Sequence, residues 1–295
     1  MTPASLSPMT HTEIASPLPG VEDASGRYQV FDHGAQVTAW RPAGESRPVL
    51  WLSSATAYAA GKAIRGGVPI CFPWFGPGLT GDKKPAHGFV RAIAWRRGEV
   101  TENGDTLRVE YTIDPAITAE QPEFPHDYEA RLTVTFASDH LQISLWAANT
   151  GDEPFTVEEA LHTYLAVSDV RAVTIDGLDG VTYLDKNLPE PAFDQVQSGP
   201  LRLTGPTDRV HLHDGPVTVD DPGFGRRLRL TTEGSADVVV WNPWEDAAAG
   251  MADMGAGEWT GMVCVEAANV FADAITLLPG EDRTITQRIE VLPRG

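Results

Sequence analysis

Two short segments of the chain each place one proton-transferring side chain inside an apolar run. His162 lies in the sequence LHTY at residues 161–164, and Glu266 lies in the sequence CVEAAN at residues 264–269. Histidine and glutamate are among the side chains that enzymes most often use to transfer protons. Since both runs are typical of strands, the pattern predicts an acid and a base that face each other across a concave sheet.

The alternation around each residue indicates which face of its strand it occupies. Residues 157–167 predict one continuous strand, in which His162 and Tyr164 share the face that looks away from the core. The same spacing places Cys264 and Glu266 on one face of a second strand. For either residue alone, a structural role is the simpler interpretation: a hydrogen-bonded histidine, or a glutamate that is salt-bridged on a solvated face.

Two further segments hold candidate binding residues. The sequence RGGVPICFPWFGP at residues 65–77 combines glycine, proline and aromatic residues, which suits a shaped rim beside the apolar face of a sugar. The sequence HGFVR at residues 87–91 adds a second arginine, and Arg65 with Arg91 would clamp an anion through forked hydrogen bonds. The alternatives are a rigid structural loop and two solvated arginines. The glycine pair in residues 65–77 is not a phosphate-binding loop, because the Lys-Ser/Thr ending of that motif is missing.

The elements that would position these residues are predominantly strands. A single helical turn is predicted at residues 114–120, and residues 138–140 connect two alternating runs as a hairpin. Many short strands with turn signals between them predict an all-β fold, a large antiparallel β-sandwich. We expect a flexible tail at residues 1–20 and a single domain at residues 21–295. The predicted strands are 36–40, 106–113, 130–136, 141–147, 157–167, 170–175, 181–184, 201–203, 210–213, 216–219, 227–232, 238–241, 263–265, 274–277 and 284–291.

Composition excludes several classes of function. The chain of 295 residues carries 22 basic and 41 acidic side chains, a formal net charge of −19, which argues against a nucleic-acid partner. No apolar run is long enough to span a membrane, and the polar first 20 residues do not resemble a signal peptide, so a cytoplasmic location is expected. Cys71 and Cys264 form no disulfide or metal pattern, and we expect buried thiols and no metal site.

At these residues the chain resembles the hexose-6-phosphate mutarotases, also called glucose-6-phosphate 1-epimerases, of the aldose 1-epimerase superfamily. Several blocks occur in the family's order, which is far more specific than any one block. The matching blocks are residues 34–37 with Trp40, 64–69 through 76–77, 87–91, 159–164, 177–180, 183–186, 240–244 and 264–269.

The resemblance implies a galactose mutarotase-like supersandwich with its site on a concave face. It implies an isomerase that interconverts the α and β anomers of a hexose 6-phosphate without a cofactor, acting as a monomer on a small-molecule substrate. By the family pattern, His162 is the general acid and Glu266 the general base. The substrate-binding residues that it implies are Arg65 and Arg91 for phosphate, and His87 and Asp208 for the sugar.

Two other functions remain open from the sequence. A mutarotase for neutral aldoses such as galactose would have no need of the Arg65–Arg91 clamp. A non-catalytic sugar-phosphate-binding module would keep that clamp but would need neither His162 nor Glu266. A glycoside hydrolase fits poorly, because that chemistry usually requires two carboxylates.

Overall fold

Antiparallel strands dominate the computed structural model, which describes residues 11–14, 18–118 and 121–294. In this part of the chain, no helix is long and apolar enough to cross a membrane. Its helical segments are α1 (Pro115–Thr118), α2 (Trp244–Ala249) and 3-10 turns at Val90–Ala92, Glu258–Gly261 and Phe271–Asp273. The strands are β1 (His11–Ile14), β2 (Gly20–Asp23), β3 (Tyr28–Phe31), β4 (Gln36–Trp40), β5 (Ile70–Cys71), β6 (Arg96–Asn103), β7 (Thr106–Ile113), β8 (Tyr128–Phe136), β9 (His140–Asn149), β10 (Phe155–Val157), β11 (Glu159–Leu161), β12 (Tyr164–Ala166), β13 (Thr174–Asp176), β14 (Thr182–Asp185), β15 (Phe193–Val196), β16 (Thr207–Leu212), β17 (Val217–Asp221), β18 (Arg226–Glu233), β19 (Asp237–Asn242), β20 (Met262–Asn269), β21 (Ile275–Leu277) and β22 (Asp282–Pro293).

Two sheets of eight strands form the body of the fold. One, here called the site sheet, has the order β15-β14-β16-β19-β20-β11-β5, with β12 also paired to β20. The other, here called the back sheet, has the order β13-β17-β18-β22-β9-β8-β7-β6. A four-stranded sheet, β1-β2-β3-β4, and the pair β10-β21 complete the described strands.

The hydrophobic core joins the two large sheets. Alternate residues of each strand point toward it, so Leu145 of β9, Ile285 of β22 and Val265 of β20 lie fully buried in one cluster. This arrangement is that of a sandwich, in which the inner faces of two sheets pack together and the outer faces stay available for other uses. The predicted all-β, antiparallel sandwich is confirmed.

The predicted tail at residues 1–20 is wrong for part of its length. Residues 11–14 form β1, which pairs with β2 along its whole length. Further along, Leu18 is buried and the carbonyl of Pro19 accepts a hydrogen bond from the backbone N–H of Asp32. Backbone hydrogen bonds account for much of this structure, and the polar composition of the segment gives no indication of them. Residues 1–10 and 15–17 lie outside the described residues.

Two other predicted strands are shorter than expected. The run at residues 170–175 begins as a turn and becomes strand only at β13. Val170 and Val173, which precede that strand, are buried without belonging to a strand ladder. The run at residues 201–203 contributes a single bridge between Leu201 and Ile175. Apolar residues that fill the core from a loop produce the same short alternating pattern as a strand.

The predicted continuous strand at residues 157–167 is also wrong. It is divided into β10, β11 and β12, with breaks at Glu158 and at residues 162–163. At these breaks the backbone N–H of Glu158 donates to the carbonyl of Pro73, and that of His162 donates to the carbonyl of Pro69. The loop after Arg65 therefore runs alongside this segment and takes over hydrogen bonds that a regular ladder would supply.

The register is nevertheless the same on both sides of the second break. In β11, Leu161 lies opposite Ala267 of β20, and in β12, Tyr164 lies opposite Cys264. Counting inward from either pair places His162 opposite Glu266. Side chains directly opposite each other in an antiparallel pair have Cβ atoms about 5 Å apart, so the sheet itself brings this pair together.

Close backbone packing fixes the loop that carries the binding candidates. Gly88 has a φ of +72°, and a Cβ atom there would lie 1.9 Å from the carbonyl oxygen of Phe72. Gly104, in the turn between β6 and β7, has a similar φ of +63° but no atom within 4 Å of its Cβ position. The two glycines share the backbone requirement and differ only in the available space.

We expect Gly88→Ala to lower the free energy of unfolding by about 3 kcal/mol or more, because the new methyl group would force the backbone at Phe72 to move. Gly104→Ala is the matched control and should cost only the left-handed φ penalty, about 1 kcal/mol. Urea denaturation of both variants measures the difference, and equal losses would contradict this account of the loop.

Candidate active site

A pocket of about 270 Å³ opens over the outer face of the site sheet. All six residues proposed from the sequence line it, which are Arg65, His87, Arg91, His162, Asp208 and Glu266. The pocket is also lined by Phe75, Ala86, Lys186, Val239, Trp241 and Met251. Segments that are far apart in the sequence thus meet at one site.

His162 and Glu266 lie side by side at the floor of this pocket. The Nδ1 atom of His162 is 3.3 Å from Oε1 of Glu266, and the two residues are 6% and 1% exposed. The backbone N–H of Val265 donates to the carbonyl of Thr163, which ties the two segments together beside the pair. The expected placement across a concave sheet is therefore wrong, because the residues are neighbours on paired segments of one face.

Burial shifts the two pKa values of this pair in opposite directions. It lowers the pKa of His162 well below 6.5, and His87 and the pocket arginines lower it further. It raises the pKa of Glu266 well above 4.5, and Asp208 adds to this shift while Lys186 partly opposes it. Both shifts follow from the cost of holding a charge away from water.

These shifts change the balance between two arrangements of one proton on the pair. With the proton on His162, the pair is an imidazolium beside a carboxylate; with the proton on Glu266, both groups are neutral. In water the first arrangement would be strongly preferred, since the ordinary pKa values of the two groups differ by about 2 units in its favour. Burial reduces this preference, because it disfavours the arrangement that holds two charges away from water.

Aromatic rings fix the plane of the His162 imidazole. The ring of Tyr164 stacks on it with centroids 4.8 Å apart and planes within 7°, and the ring of Trp241 meets it edge-on at 6.0 Å. Tyr164 and Trp241 lie in the next row of the sheet, beside Cys264. A ring held in this way can move a proton without reorienting.

His87 presents a defined hydrogen-bond donor to the same pocket. The backbone N–H of Gly76 donates to Nδ1 of His87 at 3.3 Å, so this nitrogen carries no proton and Nε2 carries one. Burial lowers the pKa of His87 well below 6.5, and Arg91 and Lys186 lower it further. His87 is therefore a neutral donor rather than a cation at physiological pH.

Arg65 enters the pocket already held by two partners. Its Nε and Nη2 atoms lie 3.0 and 2.9 Å from Oδ2 of Asp253, and its Nη1 donates to the hydroxyl of Tyr164 at 3.0 Å. Burial alone would lower the pKa of Arg65, but Tyr164 and Asp253 outweigh it and the pKa is raised. The guanidinium is thus a fixed positive charge in the pocket wall.

Arg91 and Lys186 add two more cations. Arg91 lies in the 3-10 turn Val90–Ala92 and donates from Nη2 to the carbonyl of Ala86 at 2.8 Å. Lys186 follows β14, and its Nζ atom lies 3.0 Å from Oδ2 of Asp208 and 5.2 Å from the centre of the Phe75 ring. Lys186 is thus a pocket cation that no sequence pattern singles out, although it closes one of the matching blocks.

Asp208 is the second carboxylate of the pocket. It lies on β16 opposite Trp241 of β19, so its side chain shares the face that carries the proton-transfer pair. Burial raises the pKa of Asp208, and the ammonium of Lys186 opposes that shift. Its carboxylate can accept hydrogen bonds from hydroxyl groups of a bound ligand.

One group of potential metal donors includes both His162 and Glu266. The donor atoms of His162, Cys264 and Glu266 lie within 4.8 Å of one another. Burial raises the pKa of the Cys264 thiol well above 9.0, which disfavours the thiolate that metals bind. A metal ion there would occupy both His162 and Glu266 and face the nearby arginines, so it would prevent this pair from transferring protons.

The chain is similar to known proteins in both sequence and structure. The family model for aldose 1-epimerase matches residues 21–290. A protein of Cenchrus ciliaris, provisionally named a glucose-6-phosphate 1-epimerase, is 34% identical over 269 residues, which cover 86% of this chain and 78% of that protein. A protein of Escherichia coli K12 with the same provisional name is 36% identical over 240 residues, covering 80% and 77%. The crystal structure of a Salmonella typhimurium protein, provisionally called a mutarotase, superposes with a TM-score of 0.84 at 26% identity, covering 97% and 94%.

We expect nitrogen-15 NMR of histidine-labelled protein to show His87 as the neutral Nε2–H tautomer at pH 6. An ordinary imidazole with a pKa of about 6.5 would be mostly protonated at that pH, whereas the lowered pKa keeps His87 neutral. His87→Gln identifies the resonance. An imidazolium signal for His87 at pH 6, or a proton on Nδ1, would contradict the assignment.

Proposed function

Because the chain belongs to the aldose 1-epimerase family, we propose that it interconverts the α and β anomers of a hexose 6-phosphate, with D-glucose 6-phosphate as substrate. The observation that carries this proposal is the buried His162–Glu266 pair in a pocket whose wall holds three cationic side chains. The pair supplies acid–base chemistry, and the cations suit a phosphate group.

The reaction follows from the chemistry of a cyclic hemiacetal. Glu266, as a carboxylate, takes the proton of the anomeric hydroxyl, while protonated His162 gives a proton to the ring oxygen. The bond between C1 and the ring oxygen breaks, and the free aldehyde forms. Rotation about the C1–C2 bond presents the other carbonyl face, and the proton transfers then run in reverse to close the ring.

The proton count of the pair is constant through this cycle. The closed sugar requires the charged arrangement of His162 and Glu266, and the open aldehyde leaves the neutral arrangement. Since burial disfavours the charged arrangement, it lowers the cost of reaching the open form. Each positioned proton transfer contributes roughly 10²–10⁴-fold to such a reaction.

The other pocket residues would hold the sugar during rotation. The Nε2–H of His87 donates and the carboxylate of Asp208 accepts, so together they can orient hydroxyl groups. Trp241 and Phe75 offer apolar surfaces that suit the C–H face of a pyranose. The phosphate would bind to Arg65, Arg91 and Lys186, away from the reacting carbon.

Specific features disfavour the two alternative functions. A mutarotase for neutral aldoses would have no anionic group to place against the three cations of the pocket wall, Arg65, Arg91 and Lys186. A non-catalytic binding module would have no use for a fully buried carboxylate beside a buried imidazole, since such a pair is expensive without a function. For location, we infer the cytoplasm, which suits the two free and buried thiols.

The direct test is the rate at which purified protein relaxes pure α-glucose 6-phosphate to its anomeric equilibrium, followed by NMR, with galactose as the comparison. We expect strong acceleration for glucose 6-phosphate and little for galactose. Acceleration of galactose alone would establish the neutral-aldose enzyme. Acceleration of neither sugar, with measurable sugar-phosphate binding, would establish the binding module.

We expect His162→Gln and Glu266→Gln each to lower kcat by about 10²–10⁴-fold, because each removes one end of the proton exchange. The double variant should lose little more than the worse single variant, since residues that act as a unit are not additive. Calorimetry should show glucose 6-phosphate binding largely retained. A double variant with full activity would rule out this mechanism.

The double variant Arg65→Gln/Arg91→Gln should raise the KM for glucose 6-phosphate by roughly 100-fold or more, because two charge-assisted contacts to the phosphate are lost. Any weak activity on free glucose should remain. Arg96→Gln/Arg108→Gln is the charge-matched control, since both arginines are exposed on the back sheet. Equal losses on both sugars would argue against an arginine clamp.

A further inference from the structure

The ion pair between Arg65 and Asp253 occupies a contact that a phosphate would need. Two nitrogens of the guanidinium, Nε and Nη2, converge on a single carboxylate oxygen of Asp253. These two nitrogens form one of the forked edges with which arginine binds phosphate. Resting on the proposed function, this geometry means that an internal anion holds an edge of Arg65 that a phosphate in the pocket would otherwise use.

The segment around Asp253 is anchored on both sides of that residue. Met251 lines the pocket, and Met254 is 6% exposed in the hydrophobic core. The carboxylate of Glu258 accepts hydrogen bonds from the backbone N–H groups of Ser54 and Gly255. The backbone near Asp253 is therefore fixed to the segment that leads into Arg65.

The side chain of Asp253, by contrast, has an open route to water. It is 36% exposed, whereas that of Arg65 is 24% exposed. Asp253 does not line the pocket that Arg65 lines, so it reaches the guanidinium from the outer side. A rotation of this one side chain would carry the carboxylate into solvent, where water replaces the lost ion pair at small cost.

We propose that Asp253 is a displaceable internal anion that competes with the substrate phosphate for Arg65. A dianionic phosphate attracts the guanidinium more strongly than the single charge of Asp253 and displaces it. A monoanionic sugar acid has no such advantage, and a neutral sugar has none at all. When product leaves, the carboxylate returns to Arg65 and helps to release the phosphate.

The other two cations of the pocket, Lys186 and Arg91, have partners of a different kind. Lys186 also has a carboxylate partner, Asp208, but that residue faces the pocket and is available to the sugar. Arg91 donates to the carbonyl of Ala86, which carries no net charge. Asp253 therefore lowers the positive charge that Arg65 offers to a phosphate, and it does not line the pocket in which the sugar would bind.

The test is calorimetric titration of the full-length protein and Asp253→Asn with inorganic phosphate at pH 8, where phosphate is mainly dianionic. We expect the variant to bind phosphate about 2- to 5-fold more tightly, the gain that corresponds to losing a half-exposed competing ion pair. Asp246→Asn, at an exposed residue of α2 that does not line the pocket, removes the same charge and should change the Kd little. A thermal melt checks that the variant is folded.

A second arm compares ligands of different charge. The ratio of affinities for glucose 6-phosphate and glucuronate should not fall in Asp253→Asn, because an anion that displaces Asp253 gains the same factor and a weaker anion that leaves it in place gains less. Weaker phosphate binding by Asp253→Asn would overturn the proposal and make Asp253 a residue that positions Arg65. A phosphate Kd for Asp253→Asn equal to that of the Asp246→Asn control would also overturn it. So would the absence of phosphate binding to both the unmodified protein and Asp253→Asn. Phosphate binding needs no turnover, so a protein without epimerase activity that still shows the tighter binding would contradict only the proposed function.

Discussion

The shared register of β11 and β12 with β20 is the constraint on which the site depends. It sets His162 opposite Glu266, and it sets Tyr164 opposite Cys264 in the next row. A slip of one residue would turn the carboxylate into the core. The acid–base geometry is thus a property of strand pairing rather than of loops, which suits a reaction that requires the pair to stay within hydrogen-bonding range.

A buried polar contact from the back sheet braces this register. The Nε2 atom of Gln287 on β22 donates to the carbonyl of Val265 at 3.1 Å, and its Oε1 accepts from the hydroxyl of Thr163. One side chain therefore holds the residues adjacent to both members of the pair. Because the contact is fully buried, it resists competition from water, and the sandwich core becomes part of the support of the active site.

Much of this arrangement could be predicted from local sequence, and the remainder depends on distant contacts. Alternation correctly grouped Cys264 with Glu266 on one face, because a strand's period of two is a local property. The break at His162 could not be predicted, since its backbone donates to Pro69 in a loop. Local patterning gave no role to Lys186 or Asp253, because a single charged residue in a polar segment looks solvated until its partner is known. Arg65 and Asp253 are 188 positions apart.

If His162 and Glu266 hold one proton between them, the pH dependence of kcat must show it. We expect a bell-shaped profile with limbs of unit slope that belong to the pair as a whole. A second proton would abolish the base, and the lowered pKa of His162 places that acid limb below pH 6.5. The raised pKa of Glu266 lets the pair keep its last proton well above pH 4.5, and the rate falls once that proton is lost. A rate that rises steadily with pH, without an alkaline limb, would contradict the shared proton.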